Sequence, residues 1–75
     1  MGVRSFLVYV APEARDQITQ VLASEPSCTV YPAENRDVVV VVTDLEDRDA
    51  EDVFDERLAA LPGVINVALV AGYAQ

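Results

Sequence analysis

Asp37-Val38-Val39-Val40-Val41-Val42-Thr43 decides the fold of this chain. Five successive valines, β-branched throughout, favour an extended backbone. No polar residue alternates with them, which is the pattern of a strand covered on both faces. On its C-terminal side, Asp44 to Asp49 supplies carboxylates suited to capping a helix start. Ala50, Val53, Phe54, Leu58 and Leu61 then recur at helical spacing and predict an amphipathic helix. Pro62-Gly63 ends it, as proline and glycine do just past a helix terminus. Val64 to Val70 reads as a strand, with Ala71 to Gln75 trailing off.

On its N-terminal side, Ala33-Glu34-Asn35-Arg36 is polar and turn-like, and Cys28 to Tyr31 before it is a short strand closed by Pro32. Ala14, Ile18, Val21 and Leu22 fall at i, i+4, i+7 and i+8, the core stripe of a helix. That helix opens at Pro12-Glu13, ends near Ser24 and is stopped by Pro26. The chain opens with a strand, Val3 to Val10, centred on Phe6-Leu7-Val8-Tyr9-Val10.

The order is β-α-β-β-α-β. Leu22-Ala23-Ser24-Glu25-Pro26 is echoed by Leu58-Ala59-Ala60-Leu61-Pro62, as expected of two βαβ halves. Interleaving those halves predicts an α+β fold, the ferredoxin-like split βαβ sandwich: an antiparallel four-stranded sheet with two helices on one face, one domain over residues 1–75. The first and third strands are expected at the centre of the sheet.

Two helices cover one face of such a sheet and leave the other bare. Alternation along the strands assigns Phe6, Val8, Val10, Cys28, Val30, Val38, Val40, Val42, Ile65, Val67 and Leu69 to the helix side. Ser5, Leu7, Tyr9, Thr29, Tyr31, Val39, Val41, Thr43, Asn66, Ala68 and Val70 fall on the bare side. Leu7, Val39, Val41 and Val70, beside Tyr9 and Tyr31, form an apolar patch of the kind that marks a contact surface. The candidate binding residues are Ser5, Leu7, Tyr9, Thr29, Tyr31, Val39, Val41, Ala68 and Val70. Self-association through this face or through the edge strands is the competing use.

Composition narrows the chemistry. Thirteen acids stand against five arginines, with no lysine or histidine, for a net charge of −8. A surface so acidic repels nucleic acid and anionic membrane, and neither is expected as a partner. The longest apolar run is too short to cross a bilayer, and the N-terminus lacks the build of a signal peptide, so a cytoplasmic location is expected. Without histidine and lysine the common general-base and Schiff-base routes are missing, and no enzyme activity is expected. Cys28 is the only cysteine and reads as a small strand hydrophobe. The acids from Asp44 to Asp52 lack the glycine and spacing of a calcium loop. No metal and no cofactor is expected.

Arg4-Ser5-Phe6-Leu7-Val8-Tyr9-Val10 followed by Pro12-Glu13 resembles the opening of the NapD family, maturation chaperones of the periplasmic nitrate reductase. Leu61-Pro62-Gly63-Val64-Ile65-Asn66-Val67-Ala68-Leu69-Val70 is similar to the family's closing turn and strand, and Asp37 to Thr43 to its third strand. The resemblance spans essentially the whole chain. It departs where the family often has a histidine ending the first strand (here Tyr9) and a tyrosine-histidine pair after the last (here Ala71-Gly72, with Tyr73 displaced). The resemblance implies a cytoplasmic chaperone. Its open sheet face would hold the twin-arginine signal peptide of the nitrate reductase catalytic subunit until the cofactor is inserted. Glu34 and Asp37, nearest the rim by topology, would face the peptide's arginines. The alternative on the same fold is an ACT-like small-molecule sensing or dimerisation module, although the glycine-bearing loop such modules commonly use is replaced by Val10-Ala11-Pro12-Glu13.

Overall fold

The computed structural model describes residues 2–74, and side chains for residues 2–70. Its elements are β1 (Gly2–Val10), a 3-10 turn (Pro12–Ala14), α1 (Arg15–Ala23), β2 (Cys28–Pro32), β3 (Val38–Leu45), α2 (Arg48–Ala60) and β4 (Val64–Ala74). All pairings are antiparallel and the strand order is β2-β3-β1-β4, so β1 and β3 are central as expected. This is the four-stranded, two-helix ferredoxin-like arrangement.

Each local signal has a counterpart. Asp47 caps α2, its side chain accepting a hydrogen bond from the Ala50 N–H at 2.8 Å. Pro12 opens a 3-10 turn, and α1 proper starts three residues later than the periodicity implies. At Gly63 φ is +94°, and a Cβ there would collide with the Ala14 Cβ. Only glycine fits both the left-handed backbone and that approach. The Gly63 carbonyl accepts from the Ala11 N–H at 2.8 Å, tying the end of β1 to the start of β4.

The core is Phe6, Val8 and Val10 from β1, Val39 and Val41 from β3, Ile18 and Leu22 from α1, and Phe54 and Leu58 from α2. The Phe6 and Phe54 rings sit 6.0 Å apart and tilted by 42°, within the range of favourable aromatic pairs. Val21 and Val53, on the apolar side of their helices, are 38% and 56% exposed, so each helix seats a narrower stripe than its periodicity suggests.

The third strand is inverted relative to the sequence expectation. Val39, Val41 and Thr43 are fully buried on the helix side, while Val38, Val40 and Val42 are half-buried on the other. The register explains it: Phe6 pairs with Val41 and Val8 with Val39, and directly paired residues share a face. A one-residue slip would carry every side chain of β3 to the wrong side. Thr43 Oγ1 is enclosed with no hydrogen-bond partner among the described residues.

The fourth strand also departs. It runs on to Ala74, paired with Gly2, rather than ending at Val70; Gln75 lies outside the described residues. Two bulges interrupt it. Val10 pairs with Val64 but Tyr9 with Asn66, leaving Ile65 as the extra residue, and Val70 is the extra one between Leu69 and Ala71. Ile65, expected to face the helices, is 70% exposed at its bulge, and Val64 takes the packed position. Leu69 pairs with Phe6 as expected, but on the edge strand it remains 59% exposed.

Candidate functional site

The face left bare by the helices can be read row by row from the register. Tyr31, Val40, Leu7 and Ala68 form a central row across all four strands. Toward one end lie Thr29, Val42 and Ser5, then Asp44 opposite Val3; toward the other lie Val38, Tyr9 and Asn66. Leu7, Val38, Val40, Val42 and Ala68 are half-buried, while Tyr9 is 37% and Tyr31 56% exposed. An apolar floor thus lies between two exposed tyrosines. Of the nine sequence candidates, Ser5, Leu7, Tyr9, Thr29, Tyr31 and Ala68 share this face. Val39 and Val41 do not, being buried core residues beneath it. Val70 is exposed at a bulge on the edge strand, outside the central rows.

Reading by alternation misses Val3, Val38, Val40, Val42 and Asp44. The signal for them lies past the valine run. In Thr43-Asp44-Leu45 the aspartate must be solvated and the leucine packed. Extending β3 to Leu45 fixes its even-numbered residues on the bare side.

Arg4 belongs to the opposite surface. Its guanidinium makes two hydrogen bonds to Asp55, at 3.0 and 3.2 Å, and its Nε forms an ion pair with Glu51 Oε2 at 3.1 Å without hydrogen-bond alignment. Its Cζ lies 4.9 Å from the Phe6 ring centroid, a cation–π contact. An arginine on the helix-facing side of a strand requires such partners. Glu51 and Asp55, spaced i and i+4 on α2, provide them. Arg57 of α2 pairs with Glu25 in the turn after α1, and Arg15 donates to the Ala33 carbonyl at 2.9 Å, holding the β2–β3 turn to α1. These three arginines are thus engaged on the helix layer or the turn beside it. Among the described residues, no arginine lies in the rows of the bare face.

The remaining chemistry is quiet. Burial, and then the Glu25 carboxylate, push the Cys28 thiol above its ordinary pKa, with Arg57 opposing, which favours the protonated thiol. It lines an open hollow of about 320 Å³ on the helix side, between β2 and α2, with Glu25, Leu45, Val53 and Arg57. Among the described residues no group of His, Cys, Asp and Glu side chains is arranged to hold a metal, and no helix is long and apolar enough to cross a membrane.

Comparison with known proteins decides the family. The family model for the NapD protein matches residues 1–75. The chain belongs to the NapD family. Among solved structures it is similar to the solution structure of the E. coli Tat proofreading chaperone protein NapD. The TM-score is 0.81 at 28% identity, over 97% of this chain and 76% of that one. No curated protein matches the chain. NapD is a chaperone family and not an enzyme family, and this chain has a chaperone role in nitrate reductase maturation. The ACT-like reading, which rested on fold alone, gives way to that membership.

Proposed function

We propose that this NapD-family protein acts in the cytoplasm, as one domain over residues 1–75, by holding the twin-arginine signal peptide of the nitrate reductase catalytic subunit on its bare sheet face. Holding it there delays export until the cofactor is in place. The observation that carries the reading is the row Tyr31–Val40–Leu7–Ala68, flanked by Val38 and Val42, which is an apolar floor beside exposed tyrosines on an otherwise acidic molecule. The apolar segment of a signal peptide needs such a floor. Tyr9 and Tyr31 provide rigid area with polar tips at low entropic cost. The excess of acids complements the peptide's basic start. The similar E. coli protein is a Tat proofreading chaperone, which points the same way.

Calorimetric titration with a synthetic twin-arginine signal peptide tests it, with a twin-lysine peptide as control. Saturable binding is expected, weakened by twin lysine. Val40→Asp or Leu7→Asp is expected to weaken it by about tenfold or more, the scale of one lost apolar anchor. A folded protein that ignores the peptide at high concentration would refute the proposal and favour self-association of the same face.

A further inference from the structure

The bare face is not symmetrical end to end, and we infer that the peptide binds in one polarity. Its arginine pair sits at the Asp44–Ser5–Thr29 end and its apolar segment runs toward Val38 and Tyr9. The inference rests on the signal-peptide reading and adds to it the residue that reads the arginines.

Among the described residues, Asp44 is the one ionised side chain placed by β3 on the face itself. Its neighbours Thr43 and Leu45 both point to the helix layer, so alternation puts the Asp44 carboxylate on the bare side, exposed and opposite Val3. The ion pairs of the described residues join Arg4 to Glu51 and Asp55, Arg15 to Asp16 and Arg57 to Glu25; Asp44 is in none of them. Beside it, the row Thr29–Val42–Ser5 adds two hydroxyls able to accept hydrogen bonds from a guanidinium.

The opposite end is built differently. Asp37 precedes β3 rather than lying on it, and its neighbours in the turn are Glu34 and the exposed Arg36. Residues 44–49, by contrast, carry four acids against one arginine. The excess negative charge at that end extends from the face into the start of α2.

Length agrees with this placement. From Asp44 to Val38, six residues of strand span about 20 Å. A signal peptide's apolar segment of about twelve residues is about 18 Å long as a helix. Arginines anchored at Asp44 therefore leave the apolar segment over Val42, Val40, Leu7 and Val38. The reverse polarity would put the guanidinium groups at the turn where Arg36 offsets one of the two acids Glu34 and Asp37, and the end of the apolar segment over the Asp44 carboxylate.

Two measurements on the full chain test the polarity. In calorimetry with the twin-arginine peptide, Asp44→Asn is expected to weaken binding about fivefold, as for an exposed ion pair, and Asp37→Asn by less than about twofold. A peptide with both arginines replaced by glutamine should bind wild type and Asp44→Asn alike. A spin label at the peptide's N-terminus should broaden the amide signals of Ser5, Thr29 and Asp44 and spare Tyr9, Val38 and Asn66. Broadening at the Tyr9 end or at both ends equally, or a larger loss from Asp37→Asn, overturns the polarity while leaving the signal-peptide reading intact. Failure of the wild type to bind any peptide overturns both.

Discussion

Val40 and Val41 are the same residue, adjacent on the same central strand, and they lie on opposite faces of the sheet. Val41 pairs with Phe6 beneath two helices and has no exposed surface. Val40 pairs with Leu7 on the bare face and remains half-open. Their chemistry is identical, so only register and the helix layer separate a packed position from an open one. A sheet covered on one side can therefore present a wholly aliphatic strand, with one set of valines closing the core and the other left for a partner.

The sharpest way to break the comparison is a charge at each position. Val41→Asp is expected to unfold the protein, because an unpaired carboxylate in the core costs about 3–5 kcal/mol, much of the stability of a domain this small. Val40→Asp should shift the urea midpoint little while weakening peptide binding about tenfold or more. If the two substitutions destabilised equally, the face assignment would be wrong. Val41→Asp therefore probes the fold and cannot serve as a binding test.

A smaller effect sharpens the helix side. Arg4→Met removes the cation between Glu51 and Asp55, leaving two like charges one turn apart on α2. A loss of about 1 kcal/mol is expected, since the pair is partly solvated. The loss should shrink in high salt, measured by urea unfolding at two ionic strengths. A salt-independent loss would mean that Arg4 acts through packing on Phe6 alone.

The smallest effect concerns Cys28. Its folded pKa is raised by burial, so the stabilisation is complete below the ordinary thiol value and is lost as the pH rises through the folded one. Cys28→Ala should thus flatten the fall in stability above about pH 8.5. Iodoacetamide should label the native thiol slowly and the urea-unfolded one fast. Rapid native labelling would contradict its burial.

How much of this is legible in the sequence follows from particular residues. The strand and helix order can be read because each junction carries punctuation: Pro12, Pro26, Pro32, Asp47 and Pro62-Gly63. The phase of β3 cannot be read from Val38 to Val42, since identical residues carry no alternation. It is readable only from Asp44 and Leu45, which a strand ending at Thr43 leaves out. The bulges at Ile65 and Val70 leave no mark in an apolar stretch; they arise from pairing with β1. The expected side is met on β1 and β2, where Tyr9, Thr29 and Tyr31, each set between apolar neighbours, mark the phase. It is wrong on β3, where nothing alternates.

Docking of the peptide on the bare face, and not elsewhere, is tested most directly by methyl-resolved NMR of the protein, free and saturated with the twin-arginine peptide. The Leu7, Val38, Val40 and Val42 methyl signals are expected to shift strongly while those of Val39 and Val41 hardly move. Shifts confined to Val21, Val53 and the helix layer, with Leu7 and Val40 unchanged, would contradict it.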